Sequence, residues 1–178
     1  MEAHHESKTE LYVRIYKKGS DVPTVTYAQA LDVALCWGWI DGIRKAYDDR
    51  SFLQRFTPRR RKSIWSQINR QHVDRLVAAG RMTRKGLEQV EAAKADGRWD
   101  AAYAAASKME IPSDLLAAIE AEPKARELFR TLNKQNLFAL AFRTGNMKTP
   151  AGRAKKIRDL VTMLKRGETI LPNGKPKK

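Results

Sequence analysis

The chain reads as an α+β protein: a small antiparallel three-stranded sheet packed with helices, followed by a helical C-terminal half. Three observations predict this. Residues 10–18, "ELYVRIYKK", set Leu11, Val13 and Ile15 against Tyr12, Arg14 and Tyr16 with the period of two of a half-buried strand. "IRKAY" (43–47) and "SFLQRF" (51–56) are two further β-rich runs, joined by the turn-forming "DDR". From Pro112 onward, apolar residues recur at helical spacing between cap and stop signals.

After the first strand, "GSDVP" (19–23) is a loop, and Thr26 opens a helix. Gln29 stands three residues on, the spacing of a capping box, in which each side chain bonds the other residue's backbone N–H. Ala30, Leu31, Ala34 and Leu35 form its apolar stripe, and Gly38 can take the left-handed conformation that ends it. Asp41-Gly42 then turns the chain into the strand carrying Arg44, and Thr57-Pro58 ends the hairpin. Ser63 is the expected cap of the next helix, with Ile64, Ile68, His72, Leu76 and Ala79 on one stripe, Trp65, Val73 and Val77 on another, and Gly80 as its stop. Thr83 caps a helix that ends near Gly97, and residues 99–108 read as a short helix or a linker.

Helices are expected at 113–121, 123–131, 134–144 and 150–166. The last opens on Thr149-Pro150, a cap followed by proline at the first helical position. Ala154, Ile157, Leu160, Val161 and Leu164 are its core stripe, and Arg153 is left to solvent. The expected organisation is an α+β domain over 1–98, a linker or short helix over 99–111, a helical region over 112–167 and a flexible basic tail over 168–178.

The 178 residues carry 42% hydrophobic and 31% charged residues, enough for a sizeable core. The longest apolar run, Val33 to Trp37, is too short to span a bilayer. The first residues, "MEAHHESKTE", do not have the pattern of a secretory signal. A single cysteine, Cys36, cannot form an internal disulfide, and cytoplasmic residence is the expectation.

The formal net charge of +15 is unevenly spread. Residues 44–62 hold 8 basic and 2 acidic residues (+6), and residues 148–178 hold 10 and 2 (+8). Concentrated charge of this kind points to an anionic ligand or nucleic acid, or else only to solubility.

Most catalytic constellations are unsupported. Of the three histidines, His4 and His5 sit in a polar N-terminus and His72 falls on a helix stripe. Cys36, at the end of an apolar helix, reads as a buried, inert thiol. No zinc-type spacing, phosphate loop or dinucleotide fingerprint is present, so no metal or cofactor is expected.

Two stretches stand out. In "CWGWIDGIRK" (36–45), Trp37 and Trp39 flank the helix-ending glycine, and Asp41 follows as an isolated charge able to orient an arginine. In "RFTPRRRKSIW" (55–65), five cations occupy eight positions with no acid among them, directly before the expected helix start at Ser63. Cations there oppose the helix dipole, and an anion would resolve the conflict. The candidate face is therefore Trp39, Asp41, Arg44, Arg55, Arg59, Arg60, Lys62, Trp65 and Asn69. Arginines would hold the anion and Trp65 would stack.

The blocks "LYVRIYKKGS", "TYAQALDVALCWGWIDGIRK", "RFTPRRRKSIWSQIN" and "RMTRKGLEQVEAAKADGRWDAAY", in that order, resemble the YdeI/OmpD-associated, bacteriocin-protection family. So does the helical stretch "IPSDLLAAIEAEPKARELFRTLNKQNLFALAFRTGNMKTPAGRAKKIRDLVTMLKRGE". The resemblance spans about residues 9–167. One departure is Arg84, where the family pattern has proline. Relatives begin with a further helix, so the resemblance implies that this chain starts partway into it. It implies a role in stress or bacteriocin tolerance but no catalytic residues. The leading expectation is a non-enzymatic module binding an anionic ligand or a partner protein. The alternatives are nucleic-acid binding through 44–62 and 148–178, and an enzyme acting on a small phosphorylated or carboxylate substrate.

Overall fold

The computed structural model describes residues 1–104 and 109–174. The chain forms two compact units, Met1–Tyr103 and Ala104–Lys178.

The first unit contains β1 (Leu11–Tyr16), α1 (Tyr27–Cys36), β2 (Trp39–Ala46), β3 (Ser51–Pro58), α2 (Gln67–Ala78) and α3 (Arg84–Ala95). β3 is the central strand, antiparallel to β1 on one side and to β2 on the other. The capping box at Thr26 and Gln29 is present, and Gly38 takes φ 74° just past α1. Thr83 caps α3, and Gly97 follows it with φ 78°.

Three sequence expectations are corrected here. β2 begins at Trp39, four residues early, and takes in Asp41 and Gly42. The turn expected there is a register shift between Asp41 and Arg44 within the strand. α2 is capped by Ser66, whose hydroxyl accepts from the Asn69 N–H at 3.1 Å, and not by Ser63. Ser63 instead closes a turn by accepting from the Arg60 N–H. With the helix start displaced, Ile64 and Ile68 are exposed, and the buried stripe is Asn69, Val73 and Leu76. The stretch after α3 is a packed loop as far as residue 104, with Trp99 and Ala102 buried. The remaining part of that expected helix or linker, 105–108, lies outside the described residues.

The core of this unit joins Leu31 and Leu35 of α1, Trp39 and Phe56 of the sheet, and Trp65, Val73, Leu76, Val90 and Trp99. α1 and α3 approach closely. Thr83 donates from both its N–H and its hydroxyl to the Cys36 carbonyl, at 3.2 and 2.6 Å. A Cβ at Gly86 would lie 2.3 Å from that same oxygen, so only glycine fits. The N-terminal segment is not a loose polar end. Met1 packs on the core, and the His5 ring meets Trp37 at 4.3 Å.

The second unit is helical: α4 (Ser113–Glu120), α5 (Pro123–Phe129), α6 (Lys134–Gly145) and α7 (Pro150–Lys165). Its core gathers Leu115, Ile119, Ala125, Leu132, Leu140, Leu160 and Leu164. The α7 stripe holds except at Ala154, which is exposed. Arg153, expected in solvent, bridges Asp114 at 2.6 Å and donates to the Thr144 carbonyl at 3.0 Å. The chain after α7 is held where a frayed tail was expected. Buried Asn136 accepts from the Leu171 N–H and donates to the Leu171 carbonyl, both at 3.0 Å, as a strand partner would. Residues 175–178 lie outside the described residues.

Candidate functional site

The nine expected site residues do not form one face. Trp39 and Trp65 are fully buried core residues, so the expected stacking by Trp65 is excluded by its packing. It sits against Trp99, ring centroids 4.9 Å apart. Arg55 lies on the sheet and pairs with Glu10 at 2.6 Å. Arg44 covers the Phe52 ring at 3.6 Å. Asp41 accepts a hydrogen bond from the Tyr27 hydroxyl at 2.8 Å. Arg60 and Lys62 are exposed, and Asn69 is buried on α2. The argument for an anion at a helix N-terminus also lapses, since α2 starts after Ser66 and not beside the cations.

One residue of the basic run behaves unlike the rest. β3 ends at Pro58, and the Arg59 N–H donates to the Gly38 carbonyl at 3.0 Å, which turns the side chain inward. Arg59 is 7% exposed. Its guanidinium lies 3.4 Å over the Trp65 ring, and Nη1 donates to the Ile64 carbonyl at 3.2 Å. Nε and Nη2 are buried with no hydrogen-bond partner, and so is the Trp65 indole Nε1. These are the only such atoms among the described residues. All three are donors. Nε and Nη2 form one edge of the guanidinium, the edge that grips a carboxylate or phosphate with two parallel bonds.

Electrostatics agree with the geometry. Burial pushes the Arg59 guanidinium down to about 9, only partly opposed by the charge of Asp41, so it remains a cation at neutral pH. Arg98 adds a second positive field that lowers it further, and itself donates to the Ser63 carbonyl at 2.8 Å. Buried cations in proteins are normally paired with carboxylates. Asp41 is instead engaged with Tyr27, whose hydroxyl is pushed up first by burial and then by the Asp41 charge. Arg59 also lines an open cleft of about 400 Å³ with His5, Trp37, Gly38 and Lys85. Glu6 and Glu88 share that cleft, and Glu6 is tied to Lys85 at 3.2 Å.

Sequence reasoning missed Tyr27, Arg98, Tyr103 and the N-terminal lining of the cleft. Each lies far along the chain from Arg59, and no motif links them. It also missed a second polar cluster. Buried Asp32 of α1 takes hydrogen bonds from Arg75 at 2.6 Å and from His72 Nδ1 at 2.9 Å. His72 is therefore a half-buried partner of a carboxylate. Cys36 is buried, and burial pushes its thiol up, away from the reactive thiolate. Among the described residues, no group of three or more His, Cys, Asp and Glu side chains could hold a metal ion. Among the same residues, no helix is long and apolar enough to cross a membrane.

Residues 1–89, half of the chain, match a family described as a domain of unknown function (DUF8412). Residues 108–167 match the family described as Bacteriocin-protection, YdeI or OmpD-Associated. The chain thus belongs to the first family over its sheet-bearing half and carries a YdeI/OmpD-associated domain in its helical half. The resemblance expected over 9–167 is found in its second part, while the first part matches a family of its own. No curated protein and no solved structure matches the chain.

Proposed function

We propose that the protein is a non-enzymatic module that binds a small anion, a carboxylate or a phosphate-type oxyanion, at Arg59 of its first unit. The observation that carries this is the set of three buried donors, Arg59 Nε, Arg59 Nη2 and Trp65 Nε1, with no acceptor among them. A desolvated cation without a counter-charge costs several kcal/mol. A ligand that only accepts hydrogen bonds and carries negative charge removes both defects at once. A water molecule could accept from two of the donors at most and would leave the charge uncompensated. The second-half family description supports a setting in bacteriocin protection; a stress role and a cytoplasmic location belong to the proposal alone. The enzyme reading has less support, because Asp41, its one candidate acid or base, is held by Tyr27 and does not line the cleft at Arg59.

The test is a titration with inorganic phosphate and with acetate, followed by NMR at the indole N–H of Trp65 and the Nε–H of Arg59. A saturable shift of both signals, kept in Arg60→Ala and lost at the Trp65 indole in Arg59→Met, is the expected result. The anion prefers the protonated guanidinium, so its affinity holds below the free-state value of about 9 and falls as pH rises beyond it. Signals that stay fixed, or drift linearly with salt, would sink the proposal and leave an internal water as the partner.

A further inference from the structure

The sheet of the first unit has one face in the core and one open. Phe52, Gln54 and Phe56 of β3 point inward and are buried. The alternation of strand side chains places Ser51, Leu53 and Arg55 on the opposite face. Their partners across β1 are Tyr16, Arg14 and Tyr12, and Lys45 of β2 pairs with Leu53. Tyr47 follows β2 on this side, since the Arg14 guanidinium lies 4.6 Å from the Tyr16 ring centroid and 4.4 Å from that of Tyr47. Lys45 Nζ lies 5.8 Å from the Tyr12 ring. Tyr12 is 42% exposed and Tyr47 57% exposed.

We infer that this open sheet face is a binding platform for single-stranded nucleic acid. The inference does not depend on the Arg59 site. Three tyrosine rings and three cations, Arg14, Lys45 and Arg55, interleave on a twisted three-stranded surface. Unpaired bases stack on aromatic rings whatever their sequence, and cations between the rings take the phosphates. Two carboxylates are paired with these cations. Asp48, in the β2–β3 turn, bonds Arg14 at 2.6 Å, and Glu10, before β1, bonds Arg55 at 2.6 Å. Both pairs are solvent-accessible, and such pairs are worth at most about 1 kcal/mol. A phosphate can therefore replace Glu10 at Arg55, whereas Arg14 is also held by the Ser51 hydroxyl at 3.0 Å and would take a phosphate beside Asp48.

A protein partner fits less well. The centre of a protein interface is depleted of charge, whereas here a cation stands beside each ring. Duplex DNA fits less well too, because its bases are already stacked and would meet only the cations.

The experiment is fluorescence anisotropy of the full chain with a labelled oligoadenylate RNA, a DNA strand of the same sequence and a duplex, across a salt series. The expected result is that the single strands bind at physiological salt and the duplex binds more weakly. The log–log salt slope should be about −2, as about three phosphates are neutralised on a single strand. Tyr12→Ala with Tyr47→Ala should weaken binding about tenfold or more, and the matching phenylalanine pair should restore it. Both tyrosines are exposed, so these variants should keep the wild-type circular dichroism. Lys45→Glu gives a second reading that leaves the rings intact, and it should also weaken binding. RNA and DNA strands binding equally would identify the platform as stacking on bases without a contact to the 2′-hydroxyl, and still support it. Equal affinity for the duplex, or alanine and glutamate variants that bind like the wild type, would overturn it. No binding at physiological salt would overturn it as well.

Discussion

The two units bury polar groups in opposite ways. Among the described residues of the helical unit, the buried polar side chains are Asn136 and Thr144, and both are satisfied. Thr144 donates to the Leu140 carbonyl one turn back at 2.9 Å, and Asn136 clamps Leu171 through both ends of its amide. The sheet-bearing unit buries a charge, Arg59, and leaves three donors without acceptors. It also buries Asp32 under arginines from elsewhere in the chain. Satisfied polar groups hold a structure together. Unsatisfied donors call for an acceptor, a ligand or an internal water. The contrast is the ground for the ligand proposed at Arg59 in the first unit.

The sharpest way to break the contrast is at glycine. Gly86→Ala would drive a methyl group into the Cys36 carbonyl, a rigid backbone atom at the α1–α3 junction. A loss of about 3 kcal/mol is expected in the first unit. Hydrogen exchange read segment by segment should show it there, with the helical unit unchanged. Protection lost equally in both halves would show that the two units open together.

Asn136→Ala comes next. It leaves the Leu171 N–H and carbonyl without their partner and should cost the helical unit about 2 kcal/mol. Residues 169–173 should exchange fast. Unchanged exchange there would mean that Ile170, packed on the core, suffices to hold the segment.

Asp32→Ala should cost the first unit about 1.5 kcal/mol, near the low end for a charge-assisted hydrogen bond, because Arg75 is half exposed. Burial alone would raise the Asp32 carboxyl, but the bonds from Arg75 and His72 outweigh it and hold the group below its ordinary value. The sign follows from linkage. The depressed pKa contributes stability above the unfolded-state value and loses it as pH falls through the folded one. A denaturant midpoint measured from neutral pH into acid should therefore converge for wild type and variant. A gap that persists at the acid end would assign the cost to packing.

The smallest expected effect has the opposite sign. A Cβ at Gly145, the last residue of α6, meets nothing within 4 Å. Gly145→Ala should stabilise the helical unit by about 0.5–1 kcal/mol. A thermal melt that moves downward would show a contact of that methyl group that the static structure lacks.

Legibility in the sequence divides along the same line. All four helices of the second unit follow from local signals, of which Thr149-Pro150 is the plainest. In the first unit, the capping box of α1 and the Thr83 cap were equally plain. α2 was misplaced because Ser63 and Ser66 are both competent caps. The choice fell to Trp65, which packs beneath Trp99 and accepts the Tyr103 N–H on its carbonyl at 3.0 Å, a bond that keeps it out of the helix. The same event dissolved the expected site. With Trp65 drawn into the core, Arg59 followed it, while Arg60 and Lys62 stayed in solvent.

The sequence by itself determined the α+β class, the three strands, most helix limits and the concentration of positive charge in 44–62. Those properties rest on periodicity, capping and composition, which act over a few residues. Only the tertiary structure decided which of five neighbouring cations would be buried and that, among the described residues, no carboxylate would bond it. Burial and pairing depend on residues distant in the chain. Gly38, Ile64, Arg98 and Tyr103 surround Arg59, and no local pattern encodes their meeting.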